Sequence, residues 1–114
     1  MGSLSRQKGK RAERQAATAL ERAIGCEARR SVQYCGANAD ADLSTTLDGV
    51  HFEVKARKAH ACLRFYAQAE ADAATDDIPV VLLREDGDVR VFALVDLDHI
   101  RALAQKILDI GATH

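Results

Sequence analysis

The sequence contains no Trp, a single Pro and aromatic residues at only 4%, and no stretch approaches the apolar length that crosses a bilayer. These absences point away from a membrane protein and predict a soluble intracellular chain. Its three cysteines, Cys26, Cys35 and Cys62, form no CxxC pair and have no His at finger-like spacing. A zinc or disulfide framework is therefore not expected, and free, buried thiols in a reducing compartment are. Repeats and low-complexity linkers are also lacking. The start, Met1-Gly2-Ser3, runs into a basic polar segment without the hydrophobic core of a secretory signal. A cytoplasmic location, in a bacterial or phage-infected cell, is the expectation.

What is present suits one globular domain spanning residues 1–114, with a hydrophobic fraction of 47% to build its core. Net charge is only -1, which ordinarily argues against nucleic acid. That total hides an asymmetry: residues 1–64 carry 12 Lys+Arg against 7 Asp+Glu, and residues 65–114 carry 4 against 10. Arg6, Lys8, Lys10, Arg11 and Arg14 crowd the start, followed by Arg29-Arg30 and Arg57-Lys58. A local basic surface binds phosphate whatever the total charge. Lys8, Lys10, Arg11, Arg14, Arg30, Arg57 and Lys58 are the candidates for such contacts, and basic residues that merely solvate a helix are the alternative.

Residues 5–24 lack Pro, are rich in Ala, Arg, Glu and Gln, and place Ala12, Ala16, Ala19, Leu20, Ala23 and Ile24 at helical spacing, with Gly25 as a stop. A strand is predicted from Cys26 to about Cys35, broken by "GANADAD". Residues 59–75 read as a second helix, "IPVVLLRE" as a strand buried on both faces, and "VRVFALV" as its partner beyond the turn Asp86-Gly87-Asp88. Asp96 is placed to cap a final helix whose stripe is Leu97, Ile100, Leu103, Ala104, Ile107 and Leu108, ending at Gly111.

The stretch "DLSTTLDGVHFEVKA" holds two β-rich runs around Asp48-Gly49, a strong hairpin signal. A two-residue turn there pairs Leu47 with Val50, Thr45 with Phe52 and Leu43 with Val54, which puts Leu43, Leu47, Val50, Phe52 and Val54 on one apolar face. The other face pairs Ser44 with Glu53 and Asp42 with Lys55. The predicted order is α-β-β-β-α-β-β-α, an α/β fold with a mixed sheet flanked by helices.

On the polar face Asp42 and Glu53 are diagonal neighbours, spaced to share a Mg²⁺ ion through carboxylate oxygens, with Lys55 beside them to hold an attacking water or offset charge on a phosphate. An ExK triplet alone occurs by chance in on the order of one such chain in two or three. The requirement for Asp42 on the same face raises the signal. From pattern alone, cross-strand charge pairs on a solvent face explain these residues equally well.

The segments "KGKRAERQAATAL", "RRSVQYCGANADADL", "HFEVKA" and "FYAQAEAD" together resemble the PD-(D/E)xK nuclease superfamily, and within it the Holliday-junction-resolvase-like and phage endonucleases. The likeness runs from about Lys8 to Leu97. It implies a restriction-endonuclease-like core and a Mg²⁺-dependent DNA endonuclease, with Mn²⁺ able to substitute. It further implies that Asp42, Glu53 and Lys55 are the motif residues, that the Val54 carbonyl joins Asp42 and Glu53 at the metal, that Glu13 is the first-helix acid beside it, and that Gln68 orients the site. Resolvase-like relatives act as symmetric dimers, so a homodimer is expected. The family's Pro is missing, since Ala41 precedes Asp42, and Asp40 competes with Asp42 as the ligand. A non-catalytic nucleic-acid-binding module of the same fold is the rival expectation; an assembly protein that packs through its Ala-rich helices is a weaker one.

Overall fold

The computed structural model describes residues 2–31 and 42–112. Asp40, Cys35 and the end of the first predicted strand lie outside the described residues. The chain divides into two compact units, Met1–Arg57 and Lys58–His114.

The first unit is built on α1, Gly2–Ile24, whose Ala-rich, Pro-free sequence costs little to wind. It stops where expected: Gly25 takes a φ of 87° and its N–H donates to the Glu21 carbonyl at 3.0 Å. Glu21 also reaches forward, its Oε2 accepting from the Ala28 N–H at 3.1 Å, which ties the helix end to β1, Ala28–Arg30. β1 pairs antiparallel with β2, Leu43–Thr45, in the register Ala28 to Thr45 and Arg30 to Leu43. Backbone bonds from Thr46 N–H to the Glu27 carbonyl, 3.0 Å, and from Ser31 N–H to the Asp42 carbonyl, 2.9 Å, extend the ladder at both ends. Among the described residues of this unit, Ala17 and Leu20 of α1 and Ala28 and Leu43 of the ladder are buried, and burying each Leu contributes about 1.5–3 kcal/mol.

The third predicted strand does not form. Residues 50–57 carry no strand, so the order of elements among the described residues is α-β-β-α-β-β-α with a 3-10 turn before the last helix. The Asp48-Gly49 turn is present, with Gly49 at a φ of 80°, but the hairpin register is not the expected one. Asp42 N–H bonds the Phe52 carbonyl at 3.0 Å, where a two-residue turn would set Asp42 against Lys55. Two local bonds explain the shift. Thr45 Oγ1 accepts from the Leu47 N–H at 3.1 Å and donates to the Leu47 carbonyl at 3.3 Å, occupying groups that the tight hairpin needs. Farther on, the Val54 N–H turns to the Asp42 side chain instead of a ladder carbonyl. The expected apolar face splits accordingly: Leu43 is buried, Phe52 and Val54 are half-buried, and Leu47 and Val50 are exposed.

In the second unit, α2 covers Cys62–Asp72, shorter than predicted because Ala61 supplies no side-chain cap and Ala73 turns extended. Strands β3, Val81–Leu83, and β4, Phe92–Leu94, pair antiparallel around a turn in which Gly87 has a φ of 85°. The expectation that β3 is buried on both faces fails: Leu82 is 69% exposed, because β3 and β4 form a two-stranded sheet by themselves. At the hairpin tip Arg90 clasps Asp88, Nη2 to Oδ2 at 2.7 Å, and lies over the Phe92 ring at 5.0 Å. Asp96 caps as predicted, Oδ1 accepting from the Asp98 N–H at 2.9 Å, and starts the 3-10 turn Leu97–His99 and then α3, Ile100–Ala112. Leu97, Ile100 and Leu103 of the predicted stripe are half-buried, whereas Ala104, Ile107 and Leu108 are exposed. Tyr66 is buried, and its hydroxyl donates to the Pro79 carbonyl at 3.3 Å while accepting from the Asp96 N–H at 3.2 Å.

The described residues thus hold an α/β arrangement of three helices and two small antiparallel sheets, and a larger mixed sheet is not seen among them. No described helix is long and apolar enough to cross a membrane.

Candidate functional site

In the first unit α1 faces the segment after the Asp48-Gly49 turn across an open recess of about 340 Å³. Lys8, Gly9, Ala12 and Glu13 line it from the helix, and Val54, Lys55, Ala56 and Arg57 from the opposite side. Residues 8 and 12 lie one turn apart, as do 9 and 13, so one stretch of α1 delivers all four. Three cations and one acid make the recess basic, which suits a phosphate. No part of the Gly9 position is crowded, since a Cβ built there meets nothing within 4 Å.

Each expected acid has a defined partner. Glu13 Oε1 accepts from Arg30 Nε at 2.8 Å, and the two side chains are 24% and 31% exposed. This pair joins α1 to the face of β1 that carries buried Ala28. Asp42 Oδ2 accepts from the Val54 N–H at 2.6 Å, so the carboxylate lies against the backbone of the recess wall. Such a charge-assisted bond still leaves the carboxylate a second oxygen for a cation. Glu53 Oε1 lies 2.7 Å from His51 Nε2 on the exposed side. The predicted division of this segment holds only in part: Glu53 and Lys55 are exposed and Phe52 and Val54 half-buried, but Val50, expected on the apolar face, is exposed as well.

The structure therefore brings Glu13, Val54 and Lys55 to one recess with Asp42 bonded at its edge, and turns Glu53 toward His51. Among the described residues no three His, Cys, Asp or Glu side chains gather at one point. By donor chemistry the set suits Mg²⁺, because carboxylate oxygens and a backbone carbonyl are what a hard cation takes. The bond to His51 engages one Glu53 oxygen and leaves the other for a cation. Gln68 lies on α2 in the other unit, where its Nε2 donates to Asp72 Oδ2 at 3.0 Å, an ordinary pair one helical turn apart.

Of the basic residues, Lys8 and Arg57 line the first recess, and Lys10, Arg11 and Arg14 with Gln7 line a second one on α1. Lys58 is exposed at the start of the other unit. Arg30 differs from the rest, being turned inward to Glu13. Cys26 and Cys62 are free and half-buried rather than buried. Two relationships were missing from the sequence reading. His51 with Glu53 had a signal, an i, i+2 spacing in an alternating segment; Glu13 with Arg30 had none, since it depends on how a helix docks on a strand.

No protein-family model matches this chain, and neither a curated protein nor a solved structure is significantly similar to it.

Proposed function

We propose that the chain is a Mg²⁺-dependent DNA endonuclease of the PD-(D/E)xK kind, acting on branched DNA of the Holliday-junction type as a homodimer. The observation that carries this reading is the recess itself: one helix stretch and one segment supply Lys8, Glu13, Val54, Lys55 and Arg57 together, with Asp42 fastened to Val54. Asp42, Glu53 and the Val54 carbonyl hold the metal, and Glu13 supports it from α1. Bound Mg²⁺ supplies Lewis-acid stabilisation of charge on the phosphate. Lys55 orients the attacking water and offsets charge as it develops. Lys8 and Arg57, with Lys10, Arg11 and Arg14, hold the DNA backbone.

Cleavage of four-way, duplex and single-stranded DNA with Mg²⁺ or Mn²⁺ tests the proposal. Wild-type protein should cut at least one of them, and Glu53→Ala and Lys55→Ala should each abolish it. Equal inactivity of wild type and variants on every substrate sinks it.

A non-catalytic DNA-binding module of the same chain is the second reading. It draws support from the acid partners, since Glu13 on Arg30 and Glu53 on His51 are already engaged. It predicts salt-sensitive DNA binding that is indifferent to Mg²⁺ and to Glu53→Ala.

A further inference from the structure

We infer that Arg30 is a positioning residue that holds the Glu13 carboxylate at the recess, and not one of the phosphate contacts. The inference rests on the nuclease reading for its consequence in cleavage, though not for its geometry. Arg30 stands on β1 opposite the buried Leu43, on the side of the ladder shared with Ala28. Its side chain thus runs toward α1, and its Nε meets Glu13 Oε1 at 2.8 Å, with the two side chains 31% and 24% exposed. Arg29, its neighbour, is exposed, as expected of a residue on the opposite face of the strand.

A carboxylate on a helix has several rotamers, and losing them costs free energy each time a ligand needs one of them. The Arg30 guanidinium is planar and always charged, so it selects one placement of Glu13 in advance. Tying Oε1 leaves the second carboxylate oxygen with its full acceptor capacity, and Glu13 lines the recess with Lys8, Lys55 and Arg57. Partners of this kind, one bond removed from a ligand, typically change metal affinity or activity by 10–100-fold.

The test compares Arg30→Ala, Arg30→Lys, Glu13→Gln and Lys8→Ala in the full chain. In metal-free DNA binding, Lys8→Ala should lower the slope of log affinity against log salt by about 1, as loss of one phosphate contact does, while Arg30→Ala leaves the slope at the wild-type value. A fall of about 1 for Arg30→Ala makes Arg30 a phosphate contact and overturns the inference. In NMR spectra the Arg30 Nε–H resonance should be displaced by Glu13→Gln; a resonance that stays in place also overturns it. In cleavage, well below each variant's melting temperature, Arg30→Ala should need about 10-fold or more Mg²⁺ for half-maximal rate, with Arg30→Lys between it and wild type. A wild-type Mg²⁺ response in Arg30→Ala contradicts the positioning role. If wild-type protein cuts nothing, the nuclease reading fails, and binding and NMR still decide whether Arg30 holds Glu13.

Discussion

Val54 donates its backbone N–H to Asp42 Oδ2 at 2.6 Å, while Asp42 donates its own N–H to the Phe52 carbonyl at 3.0 Å. One residue therefore fixes the recess wall through both its side chain and its main chain. Asp42→Ala leaves the part-buried Val54 N–H without its acceptor and should destabilise the fold by about 1–3 kcal/mol. Asp42→Asn keeps an acceptor oxygen and should cost less, yet lose the charge that a cation requires. Urea unfolding and cleavage measured on both variants separate the two roles: Asn near wild-type stability with cleavage lost, Ala lowered in both.

Gly9 lies inside α1, where glycine is an unfavourable residue, and open space surrounds its missing Cβ. Gly9→Ala should raise stability by about 0.5–1 kcal/mol through helix propensity alone. Thermal unfolding checks this; a fall in the midpoint would mean that something packs at Gly9.

Tyr66→Phe removes the hydroxyl that bridges the Pro79 carbonyl and the Asp96 N–H. With both groups part-buried, the expected loss is about 1–3 kcal/mol. Hydrogen exchange at the Asp96 amide should quicken in the variant, and an unchanged exchange rate there would argue against the bridge.

The Asp88 carboxyl is held below its ordinary range, first by the Arg90 guanidinium and then by the Arg90 backbone N–H, and Arg90 is raised in turn. A folded-state value lower than the unfolded one means that the pair stabilises above the unfolded value. That contribution fades as pH falls through the folded one. Arg90 is exposed and Asp88 half-buried at the surface, so salt should weaken the effect. A carboxyl-carbon NMR titration should place Asp88 below other exposed aspartates, and Arg90→Ala should move it part of the way back, because the backbone bond remains.

The features legible in the sequence are those set by neighbours along the chain. Gly25 ends α1 and Asp96 starts the last helical segment because each cap needs only residues a turn away. The alternation of Glu53 and Lys55 with Phe52 and Val54 was readable for the same reason, though Val50 at the turn departs from it. The hairpin register was not, because the Thr45 hydroxyl competes for the Leu47 backbone groups, and a propensity for Asp-Gly turns carries no information about that contest. Nor was the Arg30 partner: a basic residue in a basic region reads as a phosphate contact until the helix is docked and an acid appears beside it. The apolar run "IPVVLL" suggested a strand covered on both sides, but apolar character does not report what covers it, and Leu82 remains open.

The β3–β4 hairpin also bears on how the protein behaves as a colloid. Leu82, Val89, Val91 and Phe92 are exposed there, and the loop joining the strands carries Arg84, Glu85 and Asp86 beside the clasped Asp88 and Arg90. Charged groups beside exposed apolar strand residues discourage edge-to-edge association. Added electrolyte weakens charge effects among exposed groups, and excluded salts such as sulfate strengthen apolar association. Dispersed protein should accordingly be favoured at low ionic strength, and sulfate should drive self-association through this hairpin sooner than chloride at equal ionic strength.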